Sequence, residues 1–238
     1  MPDHIPGIVY LIPSVIEEDA LATIPVYIID AAKQCQVFFV ENERTARRFL
    51  KSLWREMVID NYEWHAIHKA EQAVTAPFIA ALKKGKNVGI LSEAGCPGIA
   101  DPGQILVDAA QRLGILIKPL VGPNSIILAL MASGMNGQNF RFVGYTPVDA
   151  HERSKTLKAL EADAAKNNCT QIFIETPYRN NQLLEAILKT CQSSTRLCIA
   201  ASITSSTEYI KTKTIGEWKK EKVDINKKPT IFLLSVGV

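Results

Sequence analysis

The stretch Leu91–Gly103, LSEAGCPGIADPG, places three glycines and two prolines within thirteen residues. An apolar run, Asn87–Ser92, precedes it. An amphipathic run, Gln104–Leu113, follows. This order reads as strand, long stiff loop, helix, a unit of an α/β sheet. Such loops sit at the carboxyl ends of strands, where ligands bind. A plain crossover turn needs only about two to six residues, so the length favours a ligand site.

The flanking chain repeats the alternation. Ile8–Ile12, Val37–Val40, Trp64–Ile67, Asn87–Ser92 and Ile115–Leu120 read as strands. Glu43–Trp54, Ala70–Lys84 and the segment after Gly103 read as helices. A mostly parallel sheet with helices on both faces follows. Pro119-Leu-Val-Gly-Pro123 can continue neither a strand nor a helix, and it sets an expected boundary between domains 1–120 and 121–238. Beyond it, Asn124 suits a helix N-cap, Ser125–Ser133 an apolar helix and Gly134 its end. Strands are expected at Phe140–Tyr145, Thr170–Glu175, Arg196–Ala201, Glu208–Lys213 and Pro229–Val236, with helices at Ala150–Lys166 and Asn180–Thr190. The closing strands lack long helices between them, which predicts a mixed sheet. The fold class is therefore two α/β domains, the first mostly parallel and the second mixed.

Composition sets outer limits. Apolar residues make up 47% and charged residues 21%, a globular balance. The net charge of +3 permits an anionic partner without demanding one. Five cysteines without a C-x-x-C pair fit reduced, buried thiols. Cys96 suits a small side chain in a turn better than a nucleophile, since no histidine base lies near it in sequence. His65 and His68 lack the partners of a metal site, and none is expected. The start, MPDHIPGIVYLIP, shows no basic n-region or long apolar core, and no apolar run reaches the roughly 20 residues of a membrane helix. A cytoplasmic protein away from membranes is expected. Lys219–Lys228 holds five lysines beside Glu221 and Asp224 and reads as a solvated loop.

The loop also resembles the S-D-A-G-x-P-x-x-x-D-P-G signature of the tetrapyrrole methylase superfamily, the class III S-adenosylmethionine methyltransferases. Ser92, Ala94, Gly95, Pro97, Asp101, Pro102 and Gly103 match, and Glu93 stands for the Asp. Further patches are similar: Ile8–Ser14, Val40–Arg44, Pro119–Pro123, Phe142–Tyr145, Ile172–Glu175 with Arg179, Thr204 with Glu208, and Lys228–Leu234. The likeness is nearest to the branch that methylates a cytidine ribose 2′-hydroxyl in small-subunit rRNA.

Departures accompany it. The family's P-x-G-N-L loop is here Val15-Ile-Glu-Glu-Asp19, without glycine and with three acids. Asn42 and Glu43 replace Asp and Thr, and Ala201–Ser205 replaces an R-E-L-T-K segment. A loop without glycine approaches a ligand less closely, and carboxylates repel phosphate.

The resemblance implies S-adenosylmethionine in a cleft between the two domains, held largely by backbone. The matching positions are Pro13, Ser92, Glu93, Ala94, Gly95, Ile99, Asn124, Ser125, Glu175, Thr176 and Thr230. A helix N-terminus such as that at Asn124 and Ser125 suits the cofactor's carboxylate, although capping alone also explains Asn124. A hydroxyl acceptor needs a base, and Glu93, Asp101 and Glu41 are the candidates. Asp101 also suits a simple loop brace before Pro102. Arg44, Arg48, Lys51 and Arg55 fall four, three and four apart on one helical face; the first three are candidate phosphate contacts, and a solvated face is the plainer reading. Expected partners are rRNA or a small ribosomal subunit, and a second copy of the chain as a homodimer. Methylation of a tetrapyrrole or another small molecule is the alternative, and S-adenosylmethionine binding without transfer is a third.

Overall fold

A computed structural model describes residues 6–67 and 72–237. The chain divides into two compact units, Met1–Asn124 and Ser125–Val238. The division thus falls just after the Pro119–Pro123 turn, between residues 124 and 125, rather than at residue 120.

The first unit runs β1 (Val9–Leu11), α1 (Tyr27–Lys33), β2 (Val37–Val40), α2 (Glu43–Leu53), β3 (Glu63–Ala66), α3 (Gln72–Lys83), β4 (Val88–Leu91), α4 (Gln104–Arg112) and β5 (Ile117–Pro119). Its sheet order is β3-β2-β4-β1-β5, and all four pairings are parallel. Strand alternation splits the core into two layers. Tyr10, Phe38 and Val40 pack with Ile28, Ala31, Phe49 and Leu50 of α1 and α2. Val9, Val37, Phe39, Val88 and Ile90 pack with Phe78, Leu82, Leu106 and Ala110 of α3 and α4. Buried on both faces, β2 and β4 read as continuous apolar runs. Pro119, which has no N–H, is tolerated because β5 is an edge strand.

Helix α1 was not anticipated. Its N-cap, Val26, makes no side-chain cap bond, and seven residues show too little periodicity. Tertiary burial of Ile28, Ala31 and Ala32 holds it. Helix α2 ends at Leu53, so Arg55 falls outside the expected cationic stripe. The expected start of α3, Ala70, lies outside the described residues, as does His68. His65 stacks on Phe39 with ring centroids 4.7 Å apart.

The second unit runs α5 (Ser125–Ser133), β6 (Phe140–Tyr145), α6 (Ala150–Asn167), β7 (Thr170–Ile174), α7 (Asn180–Thr190), β8 (Arg196–Ala201), β9 (Tyr209–Thr214), α8 (Ile215–Trp218) and β10 (Thr230–Ser235). The sheet order is β6-β7-β10-β8-β9. Strands β6 and β7 pair in parallel and the other pairs are antiparallel, the mixed sheet the sequence implies. Helices α6, α7 and α8 cover one face through Leu157, Leu183, Ile187 and Trp218. Helix α5 covers the other through Ile126, Ala129 and Leu130.

Candidate active site

In a parallel sheet every strand delivers its carboxyl end to the same edge. Strands β1, β4 and β2 are neighbours, so the segments after them meet there. Pro13 and Ser14 follow β1, Glu41 follows β2, and the Ser92–Gly103 loop follows β4. Hydrogen bonds lock the three. Ser14 N donates to the Gly95 carbonyl at 2.8 Å. Ser14 Oγ donates to the Ser92 carbonyl at 2.9 Å. The Glu93 amide donates to Glu41 Oε2 at 2.9 Å. Within the loop, Ser92 Oγ donates to the Ala94 carbonyl at 3.1 Å.

Two glycines explain why the motifs are spelt as they are. Gly95 holds φ at +69°, a left-handed conformation that other residues adopt only with strain. A Cβ on Gly122 would sit 2.1 Å from Cβ of Pro13, so the Pro119–Pro123 turn can lie against Pro13 only with glycine there. Cys96 is held in the same seam, its Sγ 3.4 Å from the Pro123 carbonyl. Burial raises its thiol pKa, with a partly offsetting bond to Asn124. A raised pKa is the opposite of what a nucleophilic cysteine needs.

The three candidate bases come together. Glu93 is exposed and Glu41 and Asp101 are half-buried. Burial, reinforced by the Glu41 and Glu93 carboxylates, pushes Asp101 up to about 6. A carboxylate so placed is a proton acceptor matched to neutral pH. Thr45, from α2, donates to Glu93 Oε1 at 3.2 Å. Asn42 caps α2, its Oδ1 accepting from the Arg44 and Thr45 amides at 3.0 and 3.3 Å.

A cavity of about 350 Å³ opens beside Glu93, lined by Ser14, Val15, Leu21, Thr45 and Phe49 among others. It falls within the size range of small-molecule sites. The glycine-free, acid-rich loop forms part of its wall, and Glu18 of that loop pairs with Arg48 at 2.5 Å. Lys51 is also engaged, donating to the Met57 carbonyl at 2.6 Å. Arg44 is exposed and makes no side-chain ion pair among the described residues. Of the three expected phosphate contacts, only Arg44 is thus uncommitted within its unit.

In the second unit, Glu175 and Thr176 follow β7 and Thr230 opens β10. The pairing Ile231↔Ile174 brings Glu175 and Thr230 to the same end of the sheet. The Glu175 carboxylate is buried and already occupied. It accepts from the Thr176 amide at 2.7 Å, Arg179 Nη2 at 2.6 Å and Thr146 Oγ1 at 3.4 Å. Desolvation works against its charge, but these donors, Arg179 first, outweigh it and lower the pKa. The spaced Glu and Arg of the family pattern is therefore an i, i+4 ion pair. Thr230 is buried, with Oγ1 donating to the Lys228 carbonyl at 2.9 Å. Ser125 is half-buried at the first position of α5. In the Ala201–Ser205 segment, Thr204 holds φ at +76° and its amide donates to Glu208 Oε2 at 2.8 Å.

Three contributors were not singled out from sequence as site residues: Ser14, Thr45 and Thr146. A lone Ser or Thr after a strand or in a first helical turn carries no distinguishing pattern. Only the tertiary fold brings the Thr45 and Thr146 hydroxyls to the Glu93 and Glu175 carboxylates and the Ser14 hydroxyl to the Ser92 carbonyl.

The match to a known family covers most of this frame, though not β1, Pro13, Ser14 or β10. Residues 20–219 fit the Tetrapyrrole (Corrin/Porphyrin) Methylases. The chain belongs to this family. It is similar to the ribosomal RNA small subunit methyltransferase I of Buchnera aphidicola subsp. Schizaphis graminum, 31% identical over 97% of this chain and 79% of that protein. The protein of that name in Escherichia coli O157:H7 is 33% identical over 69% of this chain, but the match spans only 57% of the relative's length. Among solved structures, the uroporphyrin-III C-methyl transferase of Thermus thermophilus, complexed with S-adenyl homocysteine, has a TM-score of 0.57 at 15% identity over 96% of this chain and 97% of that one. That likeness shows the fold. Membership makes the chain a methyltransferase and S-adenosylmethionine its cofactor.

The residues present fit that group. Ile99 is 49% exposed, an apolar side chain available to a flat ring. Around Gly98 the nearest atom to a notional Cβ is Gln104 N at 4.0 Å, so the loop leaves bare backbone open to a ligand. The cofactor's cationic sulfonium and ammonium groups complement a carboxylate trio in which burial, then Glu41 and Glu93, raise Asp101.

Proposed function

We propose that the protein methylates a ribose 2′-hydroxyl of small-subunit rRNA. The observation that carries the reading is the Glu41–Glu93–Asp101 cluster, beside the signature loop of a chain that resembles the Buchnera ribosomal RNA methyltransferase along 97% of its length. The cofactor supplies an activated methyl group for in-line displacement by the acceptor oxygen. The chain's own task is positioning and proton removal. Asp101 accepts the hydroxyl proton; burial, then the Glu41 and Glu93 carboxylates, keep it basic, with Glu93 tethered by Thr45 and through its amide by Glu41. Pro13, Ser92, Ala94, Gly95, Ile99 and Asn124 in the first unit contact the cofactor. Ser125, Thr176 and Thr230 in the second do the same, with Glu175 contributing through its backbone because its carboxylate is occupied. Arg44 meets the RNA backbone. The same reading includes a homodimer, testable by light scattering, and a cytoplasmic site of action.

A second reading, a small-molecule acceptor such as a tetrapyrrole, draws on the Glu18–Arg48 pair, which neutralises a cation an RNA would use.

Calorimetric titration with S-adenosylmethionine and S-adenosylhomocysteine, repeated on Ser125→Arg, tests the cofactor site. A labelled-methyl screen of rRNA, small ribosomal subunits and tetrapyrroles then tests the acceptor. Label in a tetrapyrrole and none in RNA would reverse the order of the two readings.

A further inference from the structure

The buried face of α6 is Arg153, Leu157, Leu160, Glu161 and Ala164. Two of these are charged, and they differ in one respect. Glu161 is satisfied, accepting from the Gln192 amide at 2.8 Å and from Thr195 Oγ1 at 2.5 Å. Arg153 is 4% exposed, yet its Nε and Nη1 are buried without a hydrogen-bond partner. Among the described residues it joins no salt bridge. Glu152, the adjacent acid, is exposed, and Asp149 spends its Oδ1 on the His151 and Glu152 amides as the α6 N-cap and acts on Arg153 only through space.

Arg153 lines a cavity of about 530 Å³ between α6 and α7. Lys158 and Lys189 line it as well, together with Ser154, Thr190 and the carboxylate of Glu185. The two hydroxyls lie 3.4 Å apart across the helix pair. Three cations thus face one acid, and the most buried of the three is unpaired. A desolvated guanidinium with unmet N–H groups is costly, and the through-space attraction of Asp149 still leaves those N–H groups without an acceptor. What the cavity lacks is an acceptor with several oxygens and negative charge. A guanidinium fork with lysines and hydroxyls around it matches a phosphate group.

We infer that the α6–α7 cavity binds a phosphate group, either a phosphodiester of an RNA backbone or a free phosphate. The site lies wholly in the second unit, and the inference stands whichever molecule accepts the methyl group.

The test is thermal unfolding of the full chain with inorganic phosphate, against sodium chloride at equal ionic strength. At 100 times its dissociation constant, phosphate raises the melting temperature by about 5 °C or more. Arg153→Met abolishes the shift without lowering the melting temperature in chloride. Arg153→Lys, which keeps the charge and loses the fork, retains part of it. Should Arg153→Met fail to fold, the exposed pair Lys158→Gln and Lys189→Gln decides, with phosphate affinity reduced at least tenfold. A short RNA with a 5′-hydroxyl carries only phosphodiesters: competition with phosphate identifies the backbone as the source, and no competition identifies free phosphate. An equal phosphate shift in the wild type and in the folded variants overturns the inference. So does the absence of any shift with both phosphate and RNA.

Discussion

Asp101 is held in the folded chain in a place that disfavours its charge. The ordinary carboxyl value is 3.8, and burial with the Glu41 and Glu93 carboxylates raises it to about 6. A rise of about two units corresponds to roughly 3 kcal/mol, and screening at a half-exposed group reduces this to about 1–2 kcal/mol. The folded state binds more protons than the unfolded state across this window. Stability contributed by protonated Asp101 is therefore fully present below about 4 and lost as the pH rises through about 6. Asp101→Asn removes the charge and keeps the shape. It should be more stable than the parent by about 1–2 kcal/mol at pH 7.5 and equal to it near pH 4. Urea unfolding of both proteins at the two pH values measures this. Activity should move the opposite way, with methyl transfer lost in Asp101→Asn and rising in the parent through a pH near 6. If Asp101→Asn is less stable at pH 7.5, or its stability difference ignores pH, Asp101 does not carry the buried, repelled charge on which the mechanism rests.

Gly122→Ala should destabilise the first unit by about 1–3 kcal/mol in urea unfolding, because its Cβ would fall 2.1 Å from the Pro13 ring; a loss under about 0.5 kcal/mol would mean that the seam yields. Arg179→Met should cost the second unit about 2 kcal/mol at neutral pH by leaving the Glu175 carboxylate buried and unpaired. Glu175 has a lowered pKa, so its contribution is present above the ordinary carboxyl range and lost as the pH falls through its folded value; the cost of Arg179→Met should shrink on acidification. Glu18→Gln should leave stability within about 0.5 kcal/mol, since the Arg48 pair is solvent-exposed. If RNA is the acceptor, releasing Arg48 should tighten RNA binding at low salt and steepen its salt dependence by about one phosphate contact.

Much of the fold was legible because its signals are local. Period-two and period-3.6 apolar patterns, with glycine and proline between them, marked the long elements to within about two residues. Helix α1 escaped because its cap is Val26, and what holds it is the burial of Ile28, Ala31 and Ala32 under the sheet. The cationic face of α2 was read correctly as exposed, but its availability was not legible. Glu18 lies thirty residues from Arg48 in sequence, and only the approach of the loop after β1 to α2 joins them.

By itself the sequence determined the alternation, the mostly parallel first sheet and mixed second sheet, and the signature loop with its family. Each is written in spacing, turn chemistry or a contiguous motif. Tertiary structure alone decided which carboxylate is perturbed, which cations are engaged and which buried arginine lacks a partner. Those properties depend on distance and desolvation between residues far apart in the chain, and no local pattern encodes them.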